Sequence, residues 1–190
     1  MERQELITQL HALQCSCIIH NKGITHSFHE RGVKDLHRLL TQEPALLDGA
    51  SLADKVVGKG AAALMIAGGV KWVYADVISE AAMVLFEQSR VEVQYKQIVP
   101  NIINRAGTDI CPVEKLCQEC KTAEECLPLI DKFIMENHID FSKINMNKEL
   151  FVEMNVNTIL FIIQYWITKQ PEKNVSKCLV VLAKEGFYEY

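Results

Sequence analysis

The stretch that most constrains the fold is residues 53–83, ADKVVGKGAAALMIAGGVKWVYADVISEAAM. Gly58 and Gly60 mark the start of an apolar helix rich in small residues, and Gly68-Gly69 ends it. The next segment, 70–78, is rich in β-branched and aromatic residues, and both its odd-numbered and its even-numbered positions are mostly apolar. This pattern indicates a strand covered on both faces of the sheet. Ser79 then caps a helix that runs to about Arg90. This helix-strand-helix order predicts an α/β protein.

The segments on either side of this unit extend the predicted sheet. Residues 15–20 and 24–29 read as two strands joined by a tight Asn-Lys-Gly turn, so they predict a β-hairpin. An amphipathic helix precedes the hairpin, with Leu6, Leu10 and Leu13 on one face, and another follows over 33–42, before a loop with Pro44 and Gly49. Residues 91–95 alternate as a strand nearer the edge, and the crossover from the strand at 70–78 predicts parallel pairing.

Composition limits the class of protein. The chain has 190 residues, 49% of them hydrophobic, and a net charge of -4, which gives no basic surface for nucleic acid. The longest apolar run, 158–167, is too short to span a bilayer, and the N-terminus lacks the features of a signal peptide. We therefore expect a cytoplasmic protein that binds neither nucleic acid nor membrane. Its seven cysteines, an odd number, fit reduced thiols better than a disulfide framework.

Several strings resemble a known family. They are ERGV at 30–33, ADKVVGKGAAAL, GGVKWVYADVISE and VPNIINRAGTDICPVEK, and they lie between about Leu6 and Lys115. They resemble the domain-of-unknown-function 1893 family, which looks like a branch of the cytidine-deaminase-like fold. The resemblance implies a three-layer α/β/α protein with a mixed sheet, built from an N-terminal hairpin and parallel strand-helix units. We assign this domain to residues 1–138 and a helical extension to residues 139–190.

The resemblance does not carry over the deaminase chemistry. Zinc deaminases place H-x-E on one helix and P-C-x-x-C at the start of the next. The corresponding helix starts here read Gly60-Ala61-Ala62 and Ser79-Glu80-Ala81-Ala82, without a zinc ligand or proton shuttle. We therefore expect no cofactor and no zinc deamination, and the expected function is binding of a small anionic or nucleotide-like ligand.

The predicted ligand site consists of polar residues at the ends of the predicted elements within the matching segments. These are Asp54, Lys55, Lys59, Ser79, Asn104, Arg105 and Asp109. Lys59 and the N-terminus of its helix are suited to hold an anion. An alternative function is an enzyme in which Cys111 is the nucleophile, with Asp109 and Lys59 completing the catalytic set.

Two other motifs leave alternatives open. The spacing C-x5-C-x2-C-x5-C of Cys111, Cys117, Cys120 and Cys126 would allow zinc or an iron-sulfur cluster in a regulatory module, although only C-x2-C is typical ligand spacing. The string from Gly58 satisfies G-x-G-x-x-A, with Asp76 near the end of the next strand, as in a dinucleotide site. Here the segment before it reads as a strand only from Lys55 to Val57, so helix-sheet packing explains the glycines better.

The C-terminal segment predicts two more helices, over 147–169 and 175–184. The first has a broad apolar face, and isolated it would expose too much apolar area. We expect it to cover the core or to pair with a second copy, so a homodimer is predicted.

Overall fold

A computed structural model describes residues 2–30 and 32–137 of the chain. Within these residues the chain forms five strands, namely β1 (Cys17–Asn21), β2 (Ile24–Phe28), β3 (Ser51–Val57), β4 (Trp72–Ser79) and β5 (Glu92–Val99). The helices there are α1 (Arg3–Ala12), α2 (Lys34–Gln42), α3 (Pro44–Leu47), α4 (Lys59–Ala67), α5 (Glu80–Glu87), α6 (Pro112–Leu116) and α7 (Ala123–Asn137). The predicted extension over 139–190 and its two helices lie outside the described residues.

The strands form one mixed sheet in the order β2-β1-β3-β4-β5. β1 pairs antiparallel with both β2 and β3, whereas β3, β4 and β5 run parallel. The hairpin has Lys22 and Gly23 at positive φ, as a two-residue turn requires. The predicted hairpin and the predicted parallel crossovers are therefore confirmed, and the chain is a mixed α/β protein.

Neighbouring residues of the central strands pack into different cores. Ile18 and Ala53 join α1 in one cluster on one face of the sheet. Ile19 and Leu52 join buried side chains of α2, α4, α5 and α7 in a larger cluster on the other face. Because successive strand residues point to opposite faces, a strand covered on both sides is apolar throughout, as the sequence of β4 predicts. No helix among residues 2–30 and 32–137 is long and apolar enough to cross a membrane.

The structure differs from the sequence prediction at several element boundaries. β3 begins at Ser51 rather than at Lys55, because pairing with β1 and β4 holds the charged part of the strand in the sheet. β5 continues to Val99 through its pairing with β4. The predicted loop after α2 contains the short helix α3, which begins at Pro44, a favourable first helical residue.

Two predicted helices are shorter than expected. α5 ends at Glu87 instead of near Arg90. The sequence also predicts a helix from Pro112, a favourable first helical residue, to about Cys120, but α6 ends at Leu116. Leu13 is exposed, because it follows the last residue of α1 and leaves the buried face.

Candidate functional site

A cleft of about 440 Å³ opens where β3 ends. The beginning of α2, the beginning of α4 and the segment from Ile102 to Glu114 enclose it. Its apolar wall comes from the side chains of Val33, Leu36, Ala61, Ile102 and Val113. Among the predicted site residues, the cleft is lined by Asp54, Lys55, Asn104, Arg105 and Cys111. Its size is in the range that binds small molecules in proteins.

Asp54, one of the predicted site residues, is a buried carboxyl group in the cleft. Only 9% of the residue is exposed, and its Oδ1 accepts a hydrogen bond from the backbone N–H of Val56 at 2.9 Å. Burial raises the pKa of Asp54 to about 7, and the nearby Asp76 adds to the effect. The Cys17 thiol, which also lines the cleft, hydrogen-bonds to the carboxyl group and opposes this shift. Asp54 can therefore gain or lose a proton near neutral pH.

Glu114 is a second buried acid in the cleft, and the sequence analysis missed it. It is 4% exposed, and its Oε2 accepts a hydrogen bond from the backbone N–H of Lys59 at 2.6 Å. Its Oε1 is buried and has no hydrogen-bond partner. Glu114 thus occupies the N-terminus of α4, where the sequence analysis expected an external anion.

The glycines before and within α4 make this contact possible. A Cβ atom at Gly58 would lie 2.4 Å from Oε2 of Glu114, and one at Gly60 would lie 2.4 Å from Cγ1 of Val113. The packing of α6 against α4 explains both glycines without a nucleotide phosphate. A close approach between these glycines and some partner was detectable in the sequence, but the identity of that partner was not.

Lys59 and Ser79 do not line the cleft. The Nζ atom of Lys59 donates to the carbonyl oxygens of Gln118 and Cys120 at 2.9 and 2.6 Å. This ammonium group binds the turn after α6, where those carbonyls leave the helical pattern. Ser79 is buried, and its Oγ accepts from the backbone N–H of Ala82 at 3.1 Å, which confirms its predicted role as a helix cap.

The loop at 104–109 has one side on the cleft and one on the solvent. Oδ1 of Asn104 accepts from the backbone N–H of Thr108 at 3.1 Å and so fixes the turn. Arg105 is exposed. Asp109 also is exposed and does not line the cleft; it contacts Lys115 at 3.1 Å, and this hydrogen bond lowers the pKa of Asp109.

The cysteines predicted as an alternative metal site are divided between two environments. Cys111 lies half-buried in the cleft. Cys117 and Cys126 are fully buried in the larger core, and Cys120 is partly buried against it. The Cys126 thiol donates to the carbonyl oxygen of Thr122 at 3.4 Å and lies beside the thiols of Cys117 and Cys120. The contact between Cys117 and Cys126 lowers the pKa of Cys117 and raises the pKa of Cys126. Across residues 2–30 and 32–137, no group of three or more His, Cys, Asp or Glu side chains is arranged to hold a metal ion.

The fold and the cleft together define a mixed α/β domain with one five-stranded sheet in the described part of the chain. Comparison with known families then gives its relationship. The chain belongs to the family described as Domain of unknown function (DUF1893), whose model matches residues 5–134.

A solved structure supports the shared fold. The crystal structure of a DUF1893 family protein from Thermotoga maritima, at 2.70 Å resolution, matches with a TM-score of 0.63 and 23% sequence identity. The match covers 68% of this chain and 87% of that one. No curated protein matches the chain.

Proposed function

We propose that this protein binds a small, nucleotide-like molecule in the cleft at the end of β3, and that it does so on a deaminase-like fold without the deaminase zinc. The observation that carries the proposal is Asp54, a buried acid with a pKa of about 7 in a cleft that is otherwise largely apolar. A buried carboxyl group with a strongly raised pKa destabilises a fold, and such groups are concentrated at functional sites.

The arrangement of the sheet supports the proposed fold relationship. An antiparallel hairpin precedes three parallel strands, and helices follow β3 and β4, as the resemblance to the cytidine-deaminase-like fold implies. At the two helix starts where zinc deaminases carry their ligands, this chain has Gly60 and Ser79. Gly60 has no side chain and the Ser79 hydroxyl caps its own helix, so neither position offers a zinc ligand and the proposed function includes no zinc-activated water.

The charges of the cleft support a ligand with two different ends. Asp54 and Glu114 are buried in it, whereas the basic residues Lys55 and Arg105 are half-buried and exposed, respectively. Two further acids of the lining, Asp35 and Glu30, are half-buried and exposed. A polar, uncharged or cationic group fits beside the buried acids, and an anionic group fits beside Lys55 and Arg105. A nucleoside monophosphate has both kinds of end.

Isothermal titration calorimetry with nucleoside 5′-monophosphates and the matching nucleosides tests the proposal. We expect the monophosphates to bind more tightly, and Arg105→Gln to weaken their binding about tenfold while leaving nucleoside binding unchanged. Arg90→Gln is the matched control, because Arg90 is exposed and lies outside the cleft. Absence of binding for every compound, or an equal effect of both variants, would refute the proposal.

Cys111 supports a second function, catalysis with the thiol as nucleophile, because it lines the same cleft as Asp54. Lys59 and Asp109 lie outside that cleft, so Asp54 is the acid that this alternative would use. We also propose a cytoplasmic location, since all six described cysteines are free thiols. Homodimer formation stays a prediction, and a monomeric mass in solution would count against it.

A further inference from the structure

One of the acids that line the cleft, Glu114, has a hydrogen-bond acceptor without a donor. Oε1 of Glu114 is buried and has no hydrogen-bond partner. The other oxygen of the same carboxylate, Oε2, accepts a hydrogen bond from the backbone N–H of Lys59, with an N···O distance of 2.6 Å. Buried carboxylate oxygens are nearly always hydrogen-bonded, because a buried acceptor without a donor has lost its hydration and gained no bond in exchange. A molecule that brings an N–H group to Oε1 would therefore recover a penalty already present in the protein.

The environment of Glu114 determines which chemical group fits. Glu114 is one of two buried acids in the cleft, together with Asp54. A carboxylate or phosphate there would meet like charge and another acceptor, whereas a planar group with two N–H donors would meet opposite charge and matching geometry. The apolar side chains of Val33, Ile102 and Val113 provide a wall for the flat face of such a group.

We infer that Glu114 is a specificity-determining residue that receives an N–H donor group of the ligand, of the amidine or amino-heterocycle class. This inference rests on the proposed function of the cleft and names the chemistry of the part of its ligand that contacts Glu114. Lys59 N fixes the carboxylate through Oε2, so Oε1 is held in position before the ligand arrives.

Three compounds of the same shape test the inference. Benzamidinium, benzamide and benzoate differ in whether they present two donors, a donor with an acceptor, or two acceptors. We expect benzamidinium to bind at least about tenfold more tightly than benzoate, with benzamide between them. Titration of the nitrogen-15-labelled full chain by NMR locates the binding, because the amide signals of Gly58 and Gly60 report the cleft while Gly23 and Gly49 lie outside it.

The variant Glu114→Gln separates recognition from folding. The glutamine oxygen can still accept from Lys59 N, but the other position becomes an NH₂ donor. We expect benzamidinium binding to weaken about tenfold and benzoate binding to strengthen, while Asp109→Asn, which removes an exposed acid outside the cleft, changes neither. The ratio of the three affinities in the unmodified protein tests the inference even if Glu114→Gln fails to fold.

The outcomes separate this inference from the proposed function. Preference for benzoate, or equal binding of benzamidinium and benzoate at the cleft, overturns the role of Glu114 but leaves a ligand-binding cleft. If Glu114→Gln does not weaken the binding of benzamidinium, the role of Glu114 is overturned in the same way, and the cleft remains a ligand-binding site. If neither these compounds nor the nucleotides shift the signals of Gly58 and Gly60, both proposals are wrong.

Discussion

The pH dependence of stability provides a direct test of the buried state of Asp54. The pKa of this carboxyl group rises from its ordinary value of 3.8 to about 7 on folding, chiefly through burial. Between those two values the unfolded chain loses the Asp54 proton while the folded chain keeps it, so the free energy of unfolding falls as pH rises. One pKa unit corresponds to 1.36 kcal/mol, and the full loss is therefore about 4 kcal/mol, complete above about pH 7.

Replacement of Asp54 by Asn removes this titration and keeps the shape. At about pH 4 the protonated acid and the amide are nearly equivalent, and we expect the variant and the unmodified protein to be about equally stable. Toward pH 8 the variant should become more stable, by up to about 4 kcal/mol. Urea unfolding of both proteins at a series of pH values, with linear extrapolation to water, measures the difference.

Asp109→Asn is the control for Asp54→Asn. Its hydrogen bond with Lys115 lowers the pKa of Asp109, so ionised Asp109 stabilises the fold above its ordinary pKa and the control cannot gain stability as pH rises. The reasoning would be refuted if the difference in stability between Asp54→Asn and the unmodified protein stayed constant from about pH 4 to about pH 8, because the pKa of Asp54 would then not rise on folding. A variant that is less stable at the upper end of that range would refute it as well.

Two further results are expected from the same region. Gly60→Ala should lower the free energy of unfolding by about 1–3 kcal/mol, because its Cβ would meet Val113 at 2.4 Å. Val113→Ala in the same chain should recover part of that loss in a double-mutant cycle, and simple additivity would contradict the contact. Iodoacetamide should alkylate the half-buried Cys111 faster than the fully buried Cys117, as peptide mass spectrometry can measure. Rapid alkylation at neutral pH that Cys111→Ala abolishes would favour the thiol nucleophile, and equal rates at both sites would argue against it.

The sequence predicted the central part of the fold because its boundaries have local chemical signals. Ser79 caps α5 with its own side chain, and the backbone N–H groups of Gly68 and Gly69 bind carbonyl oxygens of α4 itself where that helix ends. β3 was underestimated because Asp54 and Lys55 look unsuitable for a buried strand. Only pairing with β1 and β4, which no local pattern encodes, keeps them there.

The same distinction applies to the site. Asp54, Arg105 and Cys111 could be selected from the sequence because polar residues at the ends of sheet elements often reach a cleft. Glu114 could not, since its role depends on the docking of α6 against a helix more than fifty residues earlier in the chain. Lys59 was assigned to the ligand for a related reason, as the carbonyl groups that bind its ammonium group lie equally far along the sequence.

The buried carboxyl group of Asp54 makes ligand binding dependent on pH in a definite direction. With a pKa of about 7, Asp54 is largely protonated in mildly acidic solution. The ionisable groups around it are Cys15, Cys17 and Asp76, which interact with it, the neighbouring Lys55, and the acids Asp35 and Glu114 of the same cleft. A cationic amidine favours the ionised carboxylate, so below neutral pH its binding must release a proton. We expect the affinity for benzamidinium to fall about tenfold for each pH unit below 7, and to level off above it. The dependence should disappear in Asp54→Asn, and a pH-independent affinity in the unmodified protein would mean that the amidine does not reach Asp54.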